Sequence, residues 1–152
     1  MNLTQLNWKG VRSDLVTVTN FVKETMAELN IEIEERYTLP LIEYGKFESP
    51  TTMGQQVGRE IRLKQTLSHE EKTDILVHEL THYYQPDRDE LEVSYFHRQS
   101  EIEARMVQAY YRNHSRPWFI KLTKFVSAAK VCRFIAMHLC HLNYIGDKGY
   151  KI

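Results

Sequence analysis

Apolar residues recur three or four positions apart from Leu15 through Val18, Phe21, Val22 and Met26 to Leu29. That spacing stacks them on one face of a helix, with Ser13 as a cap and Asn30 as a stop. Ile31-Glu-Ile-Glu-Glu then alternates apolar and polar, which predicts a strand. Extended character continues from Tyr37 to Phe47, broken by Pro40 and turning at Gly45, and Glu48-Ser-Pro-Thr reads as a loop. Alternation returns between Met53 and Thr66, most clearly in Glu60-Ile-Arg-Leu-Lys, and predicts one or two more strands. The helical period resumes after Ser68-His-Glu-Glu71, a capping box, and Pro86 ends it; Ile75, Leu76, Leu80 and Tyr83 form its apolar face. Asp87 to Glu92 is polar and reads as a loop or short turn. A second capping box, Ser100-Glu-Ile-Glu103, predicts a helix from Glu101 to about Tyr111. Trp118 to about Leu142 forms a last helix or helix pair, ended by Gly146 and Gly149. The order predicts an α+β fold: an N-terminal helix, a small mixed or antiparallel sheet, two central helices and a C-terminal helical cap.

Composition narrows the class. The chain has 152 residues, 42% of them hydrophobic, enough for one domain spanning residues 1–152 with its own core. No apolar leader follows Met1, and the longest largely apolar region, Phe119 to Ile145, is interrupted by Lys121, Lys124, Lys130 and Arg133. That excludes a membrane span and predicts a cytoplasmic protein without a membrane partner. Cys132 and Cys140 lie about 12 Å apart in rise along the last helix, too far for a disulfide with each other, and read as reduced thiols. Net charge is zero but unevenly spread: residues 1–111 carry 12 Lys/Arg against 19 Asp/Glu, and residues 112–152 carry eight Lys/Arg against Asp147 alone. The basic C-terminal part either packs on the acidic body or offers a contact face for nucleic acid or another polyanion. No helix-turn-helix, RRM or OB signature accompanies it.

The second helix carries the chemistry. His78-Glu79-Leu80-Thr81-His82 is an H-E-x-x-H sequence, so two imidazoles stand one above the other on one helix face, close enough to share a tetrahedral cation. Glu79, beside the first ligand, is placed to act as general base toward a water molecule at that cation. A catalytic zinc site needs a third protein ligand and one open position.

At this motif the sequence resembles the zincin metallopeptidases, in particular the gluzincins, where a glutamate on the following helix completes the site. Glu101-Ile-Glu103-Ala104-Arg105 resembles the E-x-x-A-[DN] element of the CAAX prenyl proteases and of ImmA/IrrE-type phage and bacterial regulators. That resemblance implies zinc as cofactor, His78, His82 and Glu101 as ligands, Glu79 as catalytic base and a protein or peptide as substrate. Ala104 matches the small residue that lets the two helices approach, whereas Arg105 departs from the pattern, since the family's Asp or Asn there orients a ligand. Two other third ligands stay open. Glu103 lies nearer the middle of the apolar arc of Ile102, Met106, Val107 and Tyr110. His97 follows His82 by a spacing similar to that of the SprT-like proteases, without the glycines that flank the third histidine there. The resemblance covers about residues 50–111, and the short chain is similar in scale to small zincins of phages and mobile elements. It also implies that the strand before the motif helix, Glu60 to Lys64, runs as an edge where an extended substrate adds.

Two further sets of residues invite a chemical reading. Tyr83, Tyr84, Tyr110, Tyr111 and His114 are candidate donors to an oxyanion. His138, Cys140 and His141, with Cys132, resemble a second metal cluster, although Cys140 points away from both histidines in a regular helix. A different class of function also fits the chain: a binding or regulatory protein that retains a zincin scaffold and a structural zinc.

Overall fold

The computed structural model describes residues 12–139. Among these residues, five helices and a three-stranded sheet follow in the order α1 (Arg12–Glu28), β1 (Leu41–Gly45), β2 (Gly54–Val57), β3 (Glu60–Lys64), α2 (His69–Tyr84), α3 (Gln99–Asn113), α4 (Pro117–Leu122) and α5 (Ala128–Phe134), with the sheet packed against α2. The architecture is α+β, as the hydrophobic pattern predicts. Among the described residues, no helix is long and apolar enough to cross a membrane.

Helix α2 is the centre of the molecule. Its capping box forms as expected: Glu71 N–H donates to Ser68 Oγ at 3.2 Å, and Ser68 N–H donates to Glu71 Oε1 at 3.2 Å. From Thr73 to Tyr84 every residue except His82 is buried, because α2 packs on α3, α1, β2 and β3 together. A helix enclosed on all sides in this way must satisfy its polar side chains internally. Its N-terminal half is tied to α3 by the Asp74–Arg112 ion pair, in which Nε donates to Oδ1 at 3.0 Å and a terminal guanidinium nitrogen to Oδ2. The α1 stripe of Val18, Phe21, Val22 and Met26, with Leu29 just past the helix, closes the core against it. Helix α1 already runs at Arg12, ahead of the predicted Ser13 cap, and ends at Glu28; two residues on, Asn30 lies in the left-handed region, φ 59°, which asparagine tolerates.

Three expectations are corrected. Residues 31–36 form no strand, although Ile31 is buried and Ile33 packs on the core. The segment serves the C-terminal end of α2 instead. Glu34 N–H donates to Tyr84 O at 2.7 Å and Arg36 Nε donates to Tyr83 O at 3.1 Å, which satisfies carbonyls that a helix end leaves unpaired. Second, β3 is not an edge. It lies between β1, its parallel partner, and β2, its antiparallel partner, so the sheet is mixed with order β1-β3-β2. The alternation in β3 buries Ile61 and Leu63, as a central strand requires. Third, the Ser100 capping box does not form. Helix α3 starts two residues earlier than predicted, at Gln99, and Glu90 in the preceding loop accepts from Ser100 N–H at 3.1 Å and from its hydroxyl. The last helical region is a pair, α4 and α5, broken at Thr123–Ser127 and followed by a π turn from Ile135 to Leu139. The expected end near Leu142, with Gly146 and Gly149, lies outside the described residues.

Candidate metal centre

One turn of α2 separates His78 from His82, and α3 crosses that face at Glu101. Three donor atoms converge there: the two Nε2 atoms lie 3.1 Å apart, His78 Nε2 is 3.1 Å from Glu101 Oε2, and His82 Nε2 is 2.9 Å from Glu101 Oε1. The group could hold a metal ion. Zinc bonds of about 2.1 Å in tetrahedral array set ligand atoms roughly 3.4 Å apart, so a few tenths of an ångström of opening would accommodate such an ion.

The outer faces of both imidazoles are fixed by glutamines. Gln108, fully buried on α3, donates its amide to Asp74 O at 3.1 Å and so presents Oε1 to His78 Nδ1 at 2.8 Å. Gln85, just past α2, donates to Ser100 O at 2.8 Å and to Glu103 Oε1 at 3.1 Å, and presents Oε1 to His82 Nδ1 at 2.7 Å. An amide oxygen only accepts, so each Nδ1 carries a proton and each Nε2 faces the centre, the tautomer a metal ligand needs.

Electrostatics ties the group together. Burial alone would lower the His82 pKa, but its hydrogen bond to Glu101 and the charges of Glu101 and Glu79, helped by Gln85, raise it to about 9. Burial would raise Glu101, yet hydrogen bonds and charge from His78 and His82 hold it well below the usual carboxylate range. Burial raises Glu79 above that range, with His78 and His82 opposing and Glu101 adding to the rise. A proton on His82 thus stands where a divalent cation would compete.

The structure separates the three candidate third ligands. Glu101 joins the histidines. Glu103 turns away and accepts from Arg88 at 2.8 Å, from Gln85 and from Gln99 at 3.1 Å, supporting His82 through Gln85. His97 is exposed and pairs with Ser94 Oγ at 2.7 Å. Arg105 is buried, and the contacts to the histidine Nδ1 atoms come from Gln85 and Gln108.

The five proposed oxyanion donors have other partners. Tyr83 O–H donates to Thr38 O at 2.9 Å, and Tyr84 lies under Lys23, whose Nζ is 5.4 Å from the ring centroid. Tyr110, Tyr111 and His114 form a ring cluster with Phe21. Burial, with the charges of Glu101 and Glu79 adding to it, raises the pKa of Tyr95, which the sequence did not single out. Of the suggested second cluster, Cys132 is a buried free thiol with its pKa raised to about 12 by burial, which makes it a poor nucleophile; Cys140 and His141 lie outside the described residues.

Strand β2 completes the surroundings. A Cβ at Gly54 would stand 2.5 Å from Ile75 Cγ2 and 3.2 Å from Glu79 Cγ and Oε1, so the strand backbone lies directly against the carboxylate's stem. Both glutamines had a legible signal: Gln85 is seven positions from His78 and Gln108 seven from Glu101, two helical turns along the same faces. Gly54 had none, because sheet packing brings it in. Compared with known proteins, the chain matches no family model, and neither a curated protein nor a solved structure is significantly similar to it.

Proposed function

We propose that this protein is a zinc-dependent metallopeptidase of the zincin type. The observation that carries the reading is the convergence of His78, His82 and Glu101 within 2.9–3.1 Å, with Glu79 buried on the adjacent position of the same helix. His78, His82 and Glu101 would hold the ion. When bound, zinc acidifies water and polarises a carbonyl oxygen. Glu79, with its raised proton affinity, takes the proton of the attacking water and returns it to the leaving amine. Gln85 and Gln108 keep the imidazoles in register. Strand β2, an edge among the described residues, replaces β3 as the strand beside which an extended peptide adds.

The test is elemental analysis of the purified chain beside Glu79→Gln, followed by hydrolysis of a peptide library. About one zinc in both, with cleavage by the unsubstituted chain alone, is expected. A Glu79→Gln chain that cleaves as well as the unsubstituted one would remove the assignment.

A second reading, a regulatory protein with a structural zinc, is favoured by the α4–α5 surface. Trp118, Leu122, Phe125, Val126 and Phe134 are exposed there beside Lys121, Lys124, Lys130 and Arg133, with no acidic residue between Arg112 and Leu139. Such a face suits an anionic partner. Full zinc in both chains with cleavage by neither selects this reading. Binding to duplex DNA that weakens steeply with salt would identify the partner as nucleic acid.

A further inference from the structure

Both histidine supports are amides, and an amide can turn either its oxygen or its NH2 group toward the ring. Only the oxygen serves an imidazole whose Nδ1 carries the proton. Gln85 is held in that sense by two acceptors, Ser100 O at 2.8 Å and Glu103 Oε1 at 3.1 Å. They take up both N–H bonds of the amide and leave Oε1 to face His82 Nδ1 at 2.7 Å. Reversed, the amide would set donor against donor at His82 and oxygen against oxygen at Glu103.

Glu103 is held in turn. Arg88, in the loop between α2 and α3, lays its guanidinium along the carboxylate, with Nη1 donating to Oε1 at 2.8 Å and Nη2 to Oε2 at 3.4 Å. Gln99 Nε2 donates to Oε2 at 3.1 Å. A two-pronged contact fixes the plane of a carboxylate as well as its place, and so the direction in which Oε1 meets Gln85. The Glu103 side chain is only 8% exposed, which shields this pairing from water. His82 has more need of such support than His78, since its side chain is 15% exposed and that of His78 is fully enclosed by the core.

We propose that Arg88 is a positioning residue of the metal centre, acting on His82 through Glu103 and Gln85. The inference rests on the reading that His78, His82 and Glu101 take a divalent ion. It also carries a sign. By charge alone, a guanidinium near the centre opposes the entry of another cation, so its removal would strengthen metal binding. As the anchor of the relay it has the opposite effect, and its removal weakens binding because His82 loses its fixed acceptor.

The experiment is a zinc titration of the full chain, stripped of metal, against a chromophoric chelator. Arg88→Met, Gln85→Ala and the double variant are compared with the unsubstituted protein. Gln85→Ala should lower zinc affinity about 10- to 100-fold, and Arg88→Met about tenfold, the lower end of that range. In the Gln85→Ala background, Arg88→Met should change affinity by less than about twofold, because the relay is already cut. Arg88→Lys keeps the charge and loses the two-pronged contact, so it should also weaken binding; the same cycle is run with it if Arg88→Met does not fold. Zinc affinity equal to or above that of the unsubstituted chain in Arg88→Met would overturn the inference. So would an equal loss with and without Gln85, the mark of a merely structural role. Either result leaves the metal reading standing, whereas an unsubstituted chain that binds no zinc removes both.

Discussion

Gly54→Ala tests how closely the sheet is pressed against the motif helix. Gly54 is not among the positive-φ residues, so alanine meets no backbone penalty there and the effect is steric. The added Cβ would sit 2.5 Å from Ile75 Cγ2, about an ångström inside ordinary carbon–carbon contact, and 3.2 Å from Glu79 Cγ and Oε1. Neither neighbour can retreat freely, since Ile75 is 1% exposed and Glu79 6%. Overpacking of this kind costs about 1–3 kcal/mol, partly offset by the roughly 0.4–1 kcal/mol that alanine gains over glycine through the unfolded chain. A loss of about 1–2 kcal/mol corresponds to a melting temperature lowered by roughly 2–8 °C in a chain of this size. Urea denaturation of a double-mutant cycle with Ile75→Ala isolates the contact. Ile75→Ala alone should cost about 2–5 kcal/mol, but it also makes room for the new methyl group. The double variant should therefore be more stable than the sum of the single changes by about 1 kcal/mol or more. Strict additivity would refute the packing argument. Because Glu79 is displaced as well, hydrolysis should fall further in Gly54→Ala than zinc content does.

The remaining predictions concern the ligands and their supports. Glu79→Gln is expected to retain zinc and lose hydrolysis by a factor of about 10² or more, read as kcat at saturating metal. Gln108→Ala should weaken zinc binding about 10- to 100-fold and destabilise the chain by about 1–3 kcal/mol, because it strips His78 Nδ1 of its acceptor; chelator competition and urea unfolding measure the two effects. In metal-stripped protein, the stability that protonated His82 supplies should be complete below its ordinary value of 6.5 and lost as pH rises through about 9. Glu101 is held low, so its contribution is present above the ordinary 4.5 and lost as pH falls below it. Stability of this pair should therefore peak between about pH 4.5 and 6.5, and a pH series of urea midpoints that keeps rising to pH 9, identical in His82→Asn, would contradict the contacts described.

The helices and their order were written in the sequence, and so was the inner part of the centre. Helical periodicity is local. Once Ser68 starts α2 and Pro86 ends it, His78, Glu79 and His82 have fixed places on one cylinder, whatever else the chain does. The alternation of Ile31 to Glu35 was equally local and misled, because a strand needs a partner and α2 had unpaired carbonyls to offer instead. Strand order is non-local too: the pattern in β3 reports only that one face is buried, and pairing on both sides made it central. The choice among Glu101, Glu103 and His97 turned on the rotation of α3 against α2. Both glutamates are buried, so apolar periodicity could not rank them. The Asp74–Arg112 pair and the Gln108 bridge help fix that rotation, which brings Glu101 to the histidines and sends Glu103 to Arg88. Gly54 arrives from a strand remote in sequence from the groups it touches. Spacing along the chain carries no information about such encounters, since it is packing that decides them.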